Sequence, residues 1–159
     1  MRVYVIEDDE SVRGQLALLL RRSGYEVACA ERFDSLVDDV LAASPDLVLL
    51  DLGLPATDGQ IVCRELRRAS RVPIIVVTSR ATDLDEVMSM SLGADDFVAK
   101  PYNPSVLLAH VEACLRRAKS SDASASSVLT CDGLSVDLAR CTARFAGKDV
   151  ELTKNETRI

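Results

Sequence analysis

Three uninterrupted apolar runs, VYVI at 3–6, LVLL at 47–50 and IIVV at 74–77, constrain the fold more than any other feature of the chain. A strand with one face in water alternates apolar and polar residues. An unbroken run belongs to a strand covered on both faces, as parallel strands flanked by helices are. YEVACA at 25–30 alternates more and suits a sheet edge, and FVA at 97–99 supplies a short fifth strand. Between the first two strands, SVRGQLALLLRRSG spaces Val12, Leu16, Leu19 and Leu20 at helical intervals and stops at Gly24, a good terminator. FDSLVDDVLAAS, GQIVCRELRRAS, LDEVMSMSLG and PSVLLAHVEACLRR supply four more helices. Strand and helix thus alternate five times, which predicts an α/β fold with a doubly wound, parallel, five-stranded (βα)5 sheet.

The residues just past each strand carry the functional signal. VYVI is followed by Glu7, Asp8 and Asp9, LVLL by Asp51, IIVV by Thr78 and FVA by Lys100. In a parallel sheet these residues emerge at one edge, the carboxyl ends of the strands, where open α/β sheets place their ligand crevice. Carboxylates gathered there repel one another, and one lysine does not neutralise them, so the crevice should draw a hard divalent cation. Magnesium fits best, because it takes one or two carboxylates and keeps waters. A carboxylate beside such an ion, with a hydroxyl and an ammonium nearby, is equipped to accept a phosphoryl group. Each residue also has a plain structural reading: Asp51 as a turn residue, the EDDES stretch as a solvated helix start, Thr78 as a cap, Phe97 as core and Lys100 as a surface lysine. Convergence of four strand ends on one edge favours the chemical reading.

Composition excludes several classes of function. The chain has 159 residues, 48% of them apolar and 28% charged, a globular balance. No apolar run approaches a bilayer span, and MRVYVIEDDE turns acidic too early for a signal peptide, so a cytoplasmic protein without membrane contact is expected. The cysteines, Cys29, Cys63, Cys114, Cys131 and Cys141, are odd in number and lack a C-x-x-C pair. Reduced thiols are the expectation. The formal charge of −6 comes from residues 1–127, with 14 basic against 20 acidic groups, whereas residues 128–159 carry five of each. The first part alone is a poor nucleic-acid binder.

In order and spacing, VIEDDESVR, PDLVLLDLGLPATDG, VPIIVVTSR and GADDFVAKPY resemble the receiver domain of bacterial two-component response regulators, over residues 2–117. The resemblance implies a flavodoxin-like receiver, a phosphoprotein switched by aspartyl phosphate rather than an enzyme. It implies Asp51 as phosphoacceptor, Glu7 and Asp8 as the acidic pair, with Asp8 the direct Mg2+ ligand, and the Gly53 carbonyl as a further ligand. It also implies Thr78 as the switch hydroxyl, Lys100 as the phosphate-binding cation, Phe97 as the switch aromatic, a sensor histidine kinase as donor and a cis peptide bond before Pro101. Receivers of the OmpR/PhoB type form a homodimer through the fourth helix, fifth strand and fifth helix. Carried over, that face holds Asp95, Asp96, His110 and Arg117. Here it departs from the pattern: His110 and Val106 replace an expected arginine and glutamate, and Glu86 stands where an arginine is usual. At least one of the expected ion pairs is therefore missing and another becomes titratable.

Residues 118–127, AKSSDASASS, read as a flexible linker. After it, LSVD, CTARF and DVEL, with turn signals at Asp132-Gly133 and Gly147, predict a short antiparallel β piece, and TKNE at 153–156 has the spacing of a capping box. Residues 128–159 resemble the start of the winged-helix effector domain of OmpR/PhoB-type regulators, whose recognition helix and wing would lie beyond Ile159. The expected function is therefore transcription regulation through two-component signal transduction, with promoter DNA bound by the full-length protein only. A receiver acting by protein contact alone is the alternative. An aspartyl phosphatase is disfavoured, because such enzymes show Asp-x-Asp after the first strand and Gly53 occupies the second position after Asp51.

Overall fold

A computed structural model describes residues 1–120 with their side chains, apart from Ala56, and the backbone of the fifth helix to Ala123 and of four strands between 128 and 151. The chain divides into two compact units, Met1–Arg116 and Arg117–Ile159. The first holds β1 (Arg2–Ile6), α1 (Glu10–Arg22), β2 (Glu26–Cys29), α2 (Leu36–Ala43), β3 (Leu47–Leu50), α3 (Gly59–Ala69), β4 (Ile74–Thr78), α4 (Asp83–Ser91) and β5 (Asp96–Ala99), followed by α5 (Pro104–Ala123). All five strands are parallel, in the order β2-β1-β3-β4-β5. The doubly wound parallel sheet expected from the apolar runs is present, in the flavodoxin-like order that the resemblance implies, with YEVACA at one edge.

Each run is buried on both faces because alternate residues enter different cores. Tyr4, Ile6, Val48, Leu50, Ile74 and Val76 pack with Leu36 and Val40 of α2 and Val62, Cys63 and Leu66 of α3. Val3, Val5, Leu47, Leu49, Ile75 and Val77 pack on the other face with Leu16 and Leu20 of α1 and Leu107, Val111 and Leu115 of α5. Each such side chain contributes roughly 1.5–3 kcal/mol on burial. The strands that carry the functional residues are thus the most firmly held elements.

Chain order reverses between β1 and β3, since β1 lies between β2 and β3. That is the switch point at which an open sheet forms its crevice, and the acidic residues leave β1 and β3 there. α1 opens on Asp9, whose side chain accepts the N–H groups of Ser11 and Val12. α3 opens on Asp58, which accepts Gln60 N–H. Both caps replace missing helix bonds just beyond the strand ends.

Two boundaries differ from the sequence pattern. α5 continues past Arg117 to Ala123, into the segment expected as a linker; AKSSDA holds no glycine or proline, and alanine and lysine favour helix. The second unit is a four-stranded antiparallel sheet in the order β6-β7-β8-β9, with β6 (Val128–Cys131), β7 (Leu134–Asp137), β8 (Thr142–Phe145) and β9 (Lys148–Glu151). VLTC, unassigned by its pattern, pairs with β7 from Val128↔Asp137 to Cys131↔Leu134. The expected capping box at 153–156 lies outside the described residues.

Candidate functional site

Lys100 stands at the centre of the crevice. Its ammonium donates to Glu7 Oε2 at 2.6 Å and to Asp51 Oδ2 at 2.7 Å, joining residues that follow β5, β1 and β3. Both carboxylates are nearly sealed from water, with Glu7 2% and Asp51 6% exposed. Burial alone would raise the Asp51 pKa, but hydrogen bonds from Lys100, the Thr78 side chain and the Gly53 N–H outweigh it and hold the acid below its usual range. Gly53 N–H donates to Asp51 Oδ1 at 3.1 Å. Burial dominates at Glu7 and pushes its pKa up, against the bond and charge of Lys100. Burial would lower the Lys100 pKa, yet its bonds to Asp51 and Glu7 raise it above the ordinary value, so the ammonium stays charged.

Thr78 ends β4 fully buried, and its hydroxyl accepts the Arg80 N–H at 3.1 Å. The Lys100 N–H reaches the Thr78 carbonyl at 2.8 Å, and the Lys100–Pro101 peptide is cis. Phe97 is half-buried and packs against the core shared with α2 and α3. Gly59 lets α3 start directly against the strand end. A Cβ there would lie 2.3 Å from the Asp51 carbonyl oxygen and 2.5 Å from Leu52 Cα, so only glycine fits without moving the backbone of Asp51 and Leu52.

One carboxylate oxygen each from Glu7, Asp8 and Asp51 lies within 4.8 Å of the others, with Asp8 exposed and the other two buried. Three oxygen donors, one of them open to solvent, suit a hard cation that keeps part of its water shell. The donor set fits magnesium, and Glu7, Asp8 and Asp51 are the residues placed to hold it. Among the described residues the cluster holds no thiol, and burial pushes the Cys63 thiol up to about 11. A protonated, enclosed sulfur is neither nucleophile nor metal ligand.

Two arginines near these elements escaped the sequence reading. Arg13 Nη1 donates to the carbonyls of Glu7 at 2.9 Å and Asp8 at 3.2 Å. Its signal was available, because a helical side chain leans back over the preceding turn and Arg13 lies four residues after the Asp9 cap. Arg67 of α3 binds Asp95 Oδ2 at 2.6 Å and the Gly93 carbonyl at 2.9 Å, a long-range pairing that no local pattern reveals. The other residues of the expected dimer face lie elsewhere: Asp96 Oδ2 is 2.8 Å from His110 Nδ1 of the same chain, and Arg117 is exposed on α5.

Comparison with known proteins supports the same assignment. Residues 3–112 match the family model described as the response regulator receiver domain. The chain is 34% identical over 160 residues to the transcriptional regulatory protein YxdJ of Bacillus subtilis (strain 168), covering 99% of this chain and 70% of that protein. It is similar in structure to the BeF3-activated N-terminal receiver domain of Klebsiella pneumoniae RstA, with 35% identity and a TM-score of 0.70, covering 73% of this chain and 99% of that one. The N-terminal domain of the nisin resistance regulator NsrR matches with 35% identity and a TM-score of 0.66, covering 72% and 97% of the respective chains.

Proposed function

The chain belongs to the response regulator receiver family of two-component systems, and from that premise we propose that Asp51 accepts a phosphoryl group from the phosphohistidine of a sensor kinase. An Asp51 oxygen attacks phosphorus, the nitrogen–phosphorus bond breaks, and the histidine leaves as neutral imidazole after taking up a proton. The observation that carries this reading is the single lysine shared by two buried carboxylates. Lys100 is already charged and in place, so it can bind a phosphoryl oxygen without reorganising. Thr78, buried at the end of β4, offers its hydroxyl to another oxygen, and Glu7, Asp8 and Asp51, with the Gly53 carbonyl, hold Mg2+. That ion supplies positive charge to offset the phosphoryl oxygens and the crowded carboxylates.

The rest of the proposal comes from the family. Thr78 moves toward the phosphoryl group, Phe97 turns inward, and the face of α4, β5 and α5 pairs with a second copy. In this scheme residues 1–117 are the receiver, 118–127 connect, and 128–159 begin a winged-helix effector domain that binds promoter DNA in the full-length protein. Similarity to a transcriptional regulatory protein of Bacillus subtilis favours this over a receiver that acts by protein contact alone. The chain is a switch and turns over no exogenous substrate. Among the described residues no helix is long and apolar enough to cross a membrane, and an odd number of scattered cysteines suits a cytoplasmic setting.

Beryllofluoride, a phosphoryl mimic, tests the site. Fluorine NMR should show a bound species with the wild-type chain only when magnesium is present, and none with Asp51→Asn. Binding without magnesium, or equal binding by the variant, would sink the assignment.

A further inference from the structure

The acidic loop between β1 and α1 has to present the Glu7 and Asp8 side chains together although neither residue lies in a helix or strand. Asp9 fastens the far end of the loop by capping α1. The near end is fastened by Arg13, whose Nη1 reaches two successive carbonyls, Glu7 at 2.9 Å and Asp8 at 3.2 Å. A donor shared by two adjacent carbonyls fixes the planes of two successive peptides, the first of which joins Glu7 to Asp8, and those planes set where the side chains beside them point. The Arg13 side chain is 22% exposed, and its bond to the Glu7 carbonyl is partly shielded from competing water while that to Asp8 lies at the surface. Its other contact, Glu10 at 3.9 Å, is long and its partner is 92% exposed, so it contributes little.

We infer that Arg13 is a positioning residue for the divalent cation, holding the Glu7 and Asp8 carboxylates in their ligating arrangement by clamping the peptide that joins them. The inference rests on reading Glu7, Asp8 and Asp51 as a magnesium site. A guanidinium has two opposed effects there. Its charge repels a dication, so an arginine acting by charge alone would weaken binding, and its removal would tighten it. Its hydrogen bonds preorganise the ligands, so an arginine acting by position would strengthen binding, and its removal would loosen it. The signs differ, and one titration separates them.

The 159-residue chain, labelled with nitrogen-15, is titrated with magnesium chloride and followed at the amides of residues 8–11, beside Arg13→Met and Arg13→Lys. Hydrogen exchange at the same amides is measured without metal, and thermal melts establish that each variant is folded. Expected are a magnesium Kd about tenfold weaker in Arg13→Met, faster exchange at residues 8–10 in the metal-free variant, and partial recovery of both by Arg13→Lys. Should Arg13→Met not fold, weaker binding by the folded Arg13→Lys decides the matter. An unchanged or tighter Kd in the folded variants would overturn the inference, since Arg13 would then act by charge or serve stability alone. A wild-type chain that takes no magnesium would overturn the metal-site reading itself, and the inference with it.

Discussion

Gly53 is exposed two residues beyond Asp51, and a Cβ there would meet only Asp51 Oδ1, at an ordinary 3.9 Å. A larger side chain therefore fits, and in OmpR/PhoB-like relatives a methionine is common at this position. Hydrolysis of an acyl phosphate needs a water in line with the leaving carboxylate, and a glycine leaves that approach open. The expected outcome is that Gly53→Met loses its phosphoryl group severalfold more slowly than wild type after labelling with a small phosphodonor, without kinase; an equal or faster rate would count against it. Arg80 could screen the same approach. Its guanidinium is held sideways, 3.5 Å from Asp58 and 3.4 Å from Asp85, so Arg80→Ala belongs beside the glycine variant as a control. Residue by residue, the site was legible where a functional group follows an apolar run. Asp51, Glu7 and Lys100 were found that way because the strand dictates where its end points. Arg67 was not, because its partners are a carbonyl and a carboxylate placed by the tertiary fold, and Arg13 shows only in its spacing from the helix cap, not in any apolar run.

Among the helices of the first unit, α4 is the least committed to the core. Only Ser89 is buried, while Leu84 is 70%, Val87 61% and Met88 42% exposed, at positions that share one helical face. The helix is held at its start by a capping box between Thr82 and Asp85 rather than by apolar packing. Its outward apolar face should join the proposed dimer, with Val106 of α5, which is 49% exposed where the OmpR/PhoB resemblance leads one to expect a glutamate. Val87→Ser should leave thermal stability within about 0.5 kcal/mol, since nothing is uncovered in the monomer. It should weaken dimerisation of the beryllofluoride-activated chain by at least about tenfold, because a two-fold pairing loses the valine from both copies. Sedimentation equilibrium checks this, and an unchanged dimer constant would move the interface off α4. Elements defined by burial on both faces were legible from sequence. Those defined by pairing or continuity were not: VLTC offers too few alternations to distinguish a strand until β7 pairs with it, and a Ser/Ala run looks like a linker until a helix propagates into it.

At the scale of the whole molecule, charge decides what this chain can do alone. Residues 1–127 carry 20 acidic against 14 basic groups and residues 128–159 carry five of each, so no segment of this division has the basic excess that draws a polyphosphate. The second unit, as described, is an antiparallel sheet, whereas base readout in the winged-helix family uses a helix laid in the major groove. The chain spans 70% of the Bacillus regulator it resembles, and the proposed DNA contact belongs to the full-length protein. The proposed phosphorylation and pairing of two copies would add no cation, so dimerisation alone would not repair the deficit. The expected outcome is that the 159-residue chain, with or without beryllofluoride and magnesium, selects no sequence from a pool of random duplexes and shows no anisotropy change with a labelled duplex at micromolar concentration. Measurements at about 50 and 200 mM salt separate weak ionic adhesion, which disappears at the higher value, from recognition. Enrichment of a defined sequence that survives the higher salt would place a DNA-reading surface within residues 1–159.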